Sequence, residues 1–301
     1  MTRRGWLLFV AMCVIWGLPY LFIRVAVEHA SPGALVFLRT AVAAVILVPI
    51  AVSRGQLRPV LRHWPAVVLF TGIEVLLPWL MLSDAERKLS SSLAGLLVAA
   101  VPLIGALLAL LSVHGERFGP VQLVGLSVGL IGVISLVGLD LGQLHPLAML
   151  EMLLVSIGYA LGPLVLAKYL TGLPGLGVMG ASMSLAAVLT LPLMLLQPPR
   201  SMPARGWLSV LVLGVICTAL AFTLFFQLIA EIGPTRCTII TYVNPAVAVL
   251  LGVLVLGEQL TAGMLVGFPL ILLGSVLAAR ARRVELPHDL PPGPTAAAVT
   301  G

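Results

Sequence analysis

Apolar residues run along this chain in long blocks separated by short polar joints. The first block reads "WLLFVAMCVIWGLPYLFIRVA", with one charge at its far end. Ten such blocks occur, at about 6–26, 33–52, 65–84, 90–113, 118–138, 146–169, 174–197, 205–227, 234–256 and 260–279. Each is close to the roughly 17–25 apolar residues that an α-helix needs to cross a bilayer. Hydrophobic residues fill these blocks without strand-like alternation, which excludes a transmembrane β-barrel, the only other spanning solution. The joints hold most of the charge, as in "SRGQLRPVLRHW", "DAERK" and "HGER". The pattern predicts an all-α polytopic membrane protein with ten transmembrane helices. The N-terminal block imitates a signal peptide, but it has the length of a full span and no good small-residue cleavage site follows, so it reads as an uncleaved first helix.

Composition sharpens this reading. The chain is 60% hydrophobic and only 9% charged, against about 25% charged in soluble domains, and its mean hydropathy is +1.15. A net charge of +6 would suggest nucleic acid for a soluble protein. Here the basic residues sit at the ends of apolar runs, and no basic stripe with interleaved aromatics exists, so the partner is the lipid bilayer and nucleic acid is excluded. With the N-terminus inside, eleven Lys and Arg fall on the inner side and five on the outer, with Arg39 inside a span. Both termini are therefore expected in the cytoplasm, and the protein in the cytoplasmic (inner) membrane. Residues 1–5 form a cytoplasmic N-terminus, and the Pro-rich tail 280–301 is expected to be disordered.

The two halves of the chain repeat one another. "GERFGPVQLVGLSVGLIGVI" begins at Gly115 and "GEQLTAGMLVGFPLILLGSV" at Gly257. The Gly-Glu pair, Gly125 and Gly132 correspond to the second Gly-Glu pair, Gly267 and Gly274, at one constant offset of 142 residues. Upstream, Pro102 lies opposite Pro245 after a one-residue slip. Residues 6–138 and 146–279 then each hold five spans. Five is odd, so the second set enters the membrane from the opposite side, and the repeats are inverted. Inverted repeats characterise secondary transporters that bind substrate near the bilayer midplane.

Several segments together resemble the EamA-type branch of the drug/metabolite transporter superfamily. They are "IWGLPYLFIRVA" with Trp16 and Gly17, "FLRTAVAA" with Arg39, "SSSLAGLLVAAVPLIGALLAL" with Pro102, "GER", and "TYVNPAVAVLLGVLVLGEQLT". The resemblance covers residues 6–280 and implies two inverted five-helix repeats, alternating access, transport of small metabolites and no covalent chemistry. It leaves open which of amino acids, sugars, other metabolites or drugs is carried. One segment departs from the pattern: "EMLLVSIGYALGPLVLAKYL" lacks the Trp-Gly of the first repeat, and Tyr159 falls near the position equivalent to Trp16.

Candidate chemistry lies where polar groups interrupt the spans. A charge at mid-bilayer costs about 2.5–3.5 kcal/mol on insertion scales, so such residues are functional candidates by default. Glu74 lies near the middle of the third span, Arg39 in the outer half of the second and Glu151 toward the outer end of the sixth. Glu74 is the candidate proton or substrate-amine site, with Thr71 one turn earlier on the same face. Arg39 is a candidate for a substrate carboxylate, or for a helix-to-helix tether to a carbonyl or to Glu74. Pro19, Pro78, Pro102, Pro163 and Pro245 each remove a backbone hydrogen bond inside a span. As helix-break positions they are expected to line a central cavity. Trp16, Tyr20, Trp79, Tyr159, Tyr242 and Asn244 sit at similar depth, whereas Trp6, Trp64 and Trp207 read as interfacial anchors. Gly125, Gly129 and Gly132, with Gly263 and Gly267, suit close helix packing, either within the chain or in a homodimer.

No enzyme constellation is present. The five histidines lie in joints or the tail, Cys13, Cys217 and Cys237 form no CxxC pair, and there is no Walker motif. The sequence calls for no metal or cofactor. The expected function is a secondary active transporter of small organic metabolites, driven without ATP and suited to proton coupling, with export as the expected direction. The alternative is a channel-like or structural membrane subunit without ion coupling.

Overall fold

A computed structural model describes residues 2–111, 119–138, 145–199, 201–233, 237 and 239–278. The tail 280–301, the first Gly-Glu pair and most of the loop around it lie outside the described residues. Eight helices are long and apolar enough to cross a membrane: α1 (Arg3–Ala26), α2 (Pro32–Ser53), α3 (Trp64–Ala85), α4 (Ser91–Leu111), α5 (Pro120–Gly138), α6 (Pro146–Tyr169), α7 (Gly175–Leu196) and α8 (Ala204–Ile232). Two shorter apolar helices follow, α9 (Ile240–Leu256) and α10 (Ala262–Ala278). Among the described residues there is no strand.

Local chemistry explains the ends that differ from the apolar blocks. Helix α1 begins at Arg3, inside the segment expected to be an N-terminal extension, because the Thr2 hydroxyl accepts from Gly5 N–H at 3.0 Å and caps the first turn. Helix α8 continues to Ile232, beyond the expected end near 227. Its last turns carry two polar residues, and α1 uses them: Arg4 donates to Gln227 at 3.0 Å, and Thr2 donates to Glu231. Gly233 then stops the helix at φ +81°.

The prolines act in three ways. Helix α1 breaks at Trp16 and Gly17, just before Pro19, and α4 breaks at Ala99 and Ala100, before Pro102. Before Pro78 the chain widens instead into a π-helical stretch, Thr71–Leu76, in which Leu77 N–H reaches back to Gly72 O. Helices α6 and α9 run through Pro163 and Pro245 without interruption. A missing N–H can be absorbed by a slight bend when the rest of the helix is held by its neighbours.

The helices pack in a regular set of pairs: α1 with α8, α3 with α6, α2 with α7, α4 with α9 and α5 with α10. The α5–α10 seam is the most extensive, and glycine makes it possible. A Cβ on Gly132 would lie 2.7 Å from Ile271 N, and one on Gly267 would lie 2.7 Å from Gly132 O. The two backbones touch, so this glycine face is occupied within the chain.

Candidate functional site

The centre of the bundle is organised by Arg39. Its residue is 6% exposed, and it has two partners. Its Nε donates to Thr218 Oγ1 of α8 at 2.9 Å, and its guanidinium lies over the Trp79 ring of α3 at 3.6 Å. Thr218 can accept because its own proton goes elsewhere, to Leu213 O at 2.7 Å. That acceptor is five residues back and belongs to a second π-helical stretch, Val212–Leu220. No proline causes this widening. A π-turn often marks a functional position because it re-aims one residue while keeping the backbone bonded.

Arg39 and Glu74 do not pair. Among the described residues no carboxylate comes within 4.0 Å of the Arg39 guanidinium. The tether to Glu74 is replaced by Thr218 and Trp79, because helix rotation carries Glu74 toward α6. A Cβ on Gly162 would lie 2.7 Å from Glu74 Cδ. One Glu74 oxygen, Oε2, is buried without a hydrogen-bond partner. Tyr159 of α6 lies within electrostatic reach of both Glu74 and Arg39 and beside Trp79. Tyr20 of α1 lies within electrostatic reach of Tyr159 and Arg39. Thr71 is fully buried, and its hydroxyl has no partner.

The remaining predicted residues lie apart from this cluster. Trp16 belongs to an aromatic group with Phe222 and Phe225, at ring separations of 5.8 and 4.7 Å. Asn244 joins helices: with its amide nitrogen turned to the carbonyls, it donates to Ile240 O at 3.0 Å and to Cys13 O of α1 at 3.1 Å. That contact locks α9 to α1 just before the α1 break. Tyr242 is half-buried on α9. Glu151 is 6% exposed, less hydrated than its position near a helix end suggests, and its carboxyl faces Asp84 of α3.

The two ends of the bundle differ. At the end carrying the α1–α2 joint, contacts cross between helices. Arg205 donates to Glu28 at 3.1 Å, Arg24 to the Glu86 carbonyl at 2.8 Å, and Ser31 to Gln197 O at 3.2 Å. Glu258 accepts from Ser91 N–H, Ser92 N–H and Ser92 Oγ at 2.7, 2.9 and 2.5 Å. At the opposite end a cavity of about 270 Å³ opens between α2, α7 and α8, lined by Arg54, Gln56, Gly175, Thr223, Phe226 and Gln227. Phe226 stacks near Phe222, one turn beyond Thr218, so one face of α8 leads from the cavity to the Arg39 cluster.

Sequence reasoning did not find Thr218, the α8 π-turn or Glu86. Thr218 had one usable signal, a hydroxyl near the middle of a long apolar block.

Apolar helices in this number define a multi-pass membrane protein. The EamA-like transporter family model matches residues 3–138 and again residues 146–280, and the chain belongs to this family. It is 30% identical over 256 residues to the inner membrane transporter YedA of Escherichia coli K12, covering 83% of this chain and 82% of that protein. A probable terminal-alkyne amino-acid exporter of Streptantibioticus cattleyicolor is 28% identical over 292 residues, covering 93% and 94% of the two chains. A solved crystal structure superposes with a TM-score of 0.65 at 21% identity, covering 93% of this chain and 98% of its own, which speaks to the fold.

Proposed function

We propose that this chain is a secondary carrier that exports small zwitterionic metabolites, amino acids among them, across the cytoplasmic membrane by alternating access. The observation that carries the reading is the pair of unmatched opposite charges at the bundle centre. Arg39 uses only Nε on a protein acceptor, which leaves its terminal N–H groups for a carboxylate. Glu74 Oε2 has no donor, which leaves it for an ammonium group. Holding the two apart, one on Thr218 and the other against Gly162, keeps both available. The name of the Streptantibioticus relative agrees with this class of cargo.

Two inverted repeats, 6–138 and 146–279, are part of the same reading. Support comes from the double match of the family model and from the helix pairs. Adding five to each helix of α1–α8 gives the pair α6–α3, while α2–α7, α4–α9 and α5–α10 pair with their own equivalents. The π-turns fall in α3 and α8, the third helix of each five. The charge bias puts both termini in the cytoplasm. The crossing contacts then close the outer end, and the 270 Å³ cavity opens inward.

Glu74 is assigned a second task, carrying a proton when no ammonium group occupies it. Counterflow in proteoliposomes tests both tasks, using amino acids alongside their amine and carboxylate analogues. Arg39→Lys is expected to weaken amino acids and carboxylates but spare amines. Glu74→Gln is expected to weaken amino acids and amines, and to flatten the response to a pH gradient. Normal counterflow of amino acids by both variants would refute the site.

A further inference from the structure

Glu86 plays no part in the reading above, yet its surroundings are those of a working group. It follows the last turn of α3, in the joint to α4. Its exposure is 0%, and neither carboxyl oxygen has a hydrogen-bond partner. Arg24 reaches this residue but donates to its backbone carbonyl, leaving the carboxyl alone. The adjoining cations Arg87 and Lys88 are engaged by Asp84, at 3.1 and 3.2 Å.

The neighbouring carboxylate has what Glu86 lacks. Glu258, in the α9–α10 joint, takes three donors at the first turn of α4, where the helix dipole also favours an anion. Glu86 is left beside this anion with no donor of its own. The charged and titratable groups facing it are Glu258, Arg24 and Tyr20 of α1, Arg39 of α2 and Tyr159 of α6. Burial is the largest influence and Glu258 adds to it, while Arg24 and Arg39 oppose both. The balance holds the carboxyl well above the usual carboxylate range. A fully buried carboxylate without a partner is strongly disfavoured, and taking up a proton removes the charge.

We propose that Glu86 is a proton-binding site in the outer seal. Its carboxyl is neutral when the α3–α4 and α9–α10 joints close over it. Opening the seal admits water, the carboxyl O–H bond breaks, the proton passes to water in the outer phase and the carboxylate remains. The closed seal therefore binds this proton more tightly than the open one. Acid outside favours closure, and rising pH favours opening, by at most about tenfold in the open-to-closed ratio per pH unit for one proton. The proposal rests on alternating access but not on the identity of the cargo.

Cys217 is a built-in reporter. It is 1% exposed and lies beside Arg39, beneath the seal. In right-side-out vesicles carrying Cys13→Ser and Cys237→Ser, a membrane-impermeant maleimide added outside reads opening as alkylation of Cys217. The thiol's own titration is common to every variant and cancels in comparisons. With Glu86 present, alkylation is expected to fall on acidification more steeply than in Glu86→Gln, which should stay slow and follow the thiol alone. Arg24→Gln leaves Glu86 in place but removes both an opposing cation and the bond to the Glu86 carbonyl, so its midpoint is expected to move. Parallel pH profiles for the parent and Glu86→Gln overturn the proposal. If Glu86→Gln fails to reach the membrane, an unmoved midpoint in Arg24→Gln overturns it. Failure of alternating access gives a different result: no labelling from outside at any pH, with labelling from inside intact.

Discussion

Replacing Gly162 by alanine adds one methyl group and tests where Glu74 stands. The new Cβ would lie 2.7 Å from Glu74 Cδ and 3.0 Å from its Cβ, and closer still to Oε2. Carbon atoms prefer roughly 3.5–4.0 Å, so the carboxyl must move by about 1 Å or α3 and α6 must part. Overpacking of this kind costs about 1–3 kcal/mol, and the gain in helix propensity from Gly to Ala offsets about 1 kcal/mol of it. Folding should therefore be weakened only slightly. Binding should suffer more. If Glu74 holds an ammonium group, the lost charge-assisted hydrogen bond is worth about 1.5–3 kcal/mol, or roughly tenfold to 150-fold in apparent affinity. The assay is the half-saturating concentration of an amino acid in proteoliposome counterflow, read with the melting temperature of the purified protein. Unchanged affinity at an unchanged melting temperature would refute the contact and the role built on it. Gly158→Ala is the comparison. Its Cβ meets Ile73 O at 2.6 Å and Pro78 Cγ at 2.7 Å, rigid groups of the widened turn, so stability should fall further.

Gly274→Ala should disrupt the α5–α10 seam. Its Cβ would press on the Gly129 backbone and lie 2.6 Å from Gly125 O, and backbone cannot swing aside. A loss of about 3 kcal/mol or more is expected, seen as a lower melting temperature or loss of the monodisperse peak on size exclusion. Glu258→Gln keeps the shape but removes the charge that caps α4, and should cost about 1–3 kcal/mol. Ser92→Ala removes only one of the three donors and should cost less by the same thermal assay.

Much of the architecture could be read from the chain, because a span is a local property. About twenty apolar residues satisfy their own backbone hydrogen bonds as a helix, so position and length follow from hydropathy alone. The glycine spacing also survived in three dimensions, since two backbones can touch only where neither carries a Cβ. The site was legible only in part. Tyr20, Arg39, Glu74, Trp79 and Tyr159 lie within reach of one another at the bundle centre. Trp16 and Asn244 have similar depth but turn to other helices. Depth left a pair between Arg39 and Glu74 open as one alternative, and it fails on rotation about the helix axis.

Glu86 shows the limit most clearly. In "DAERK" it reads as one charge among several in a solvated joint. Yet it is fully buried, and a joint more than 160 residues away brings a second carboxylate, Glu258, to the start of α4 within its electrostatic reach. The α8 π-turn is similar, since no proline in its own segment announces it and its clearest consequence, the Thr218 hydroxyl placed to accept from Arg39, joins α8 to α2. By itself the sequence determined the membrane class, the positions of the spans, the repeated glycine pattern and the few residues whose charge needs a reason. Only the tertiary structure decided which of those charges meet, because partners are set by helix azimuth and close approach between distant segments, and neither is written in local hydropathy.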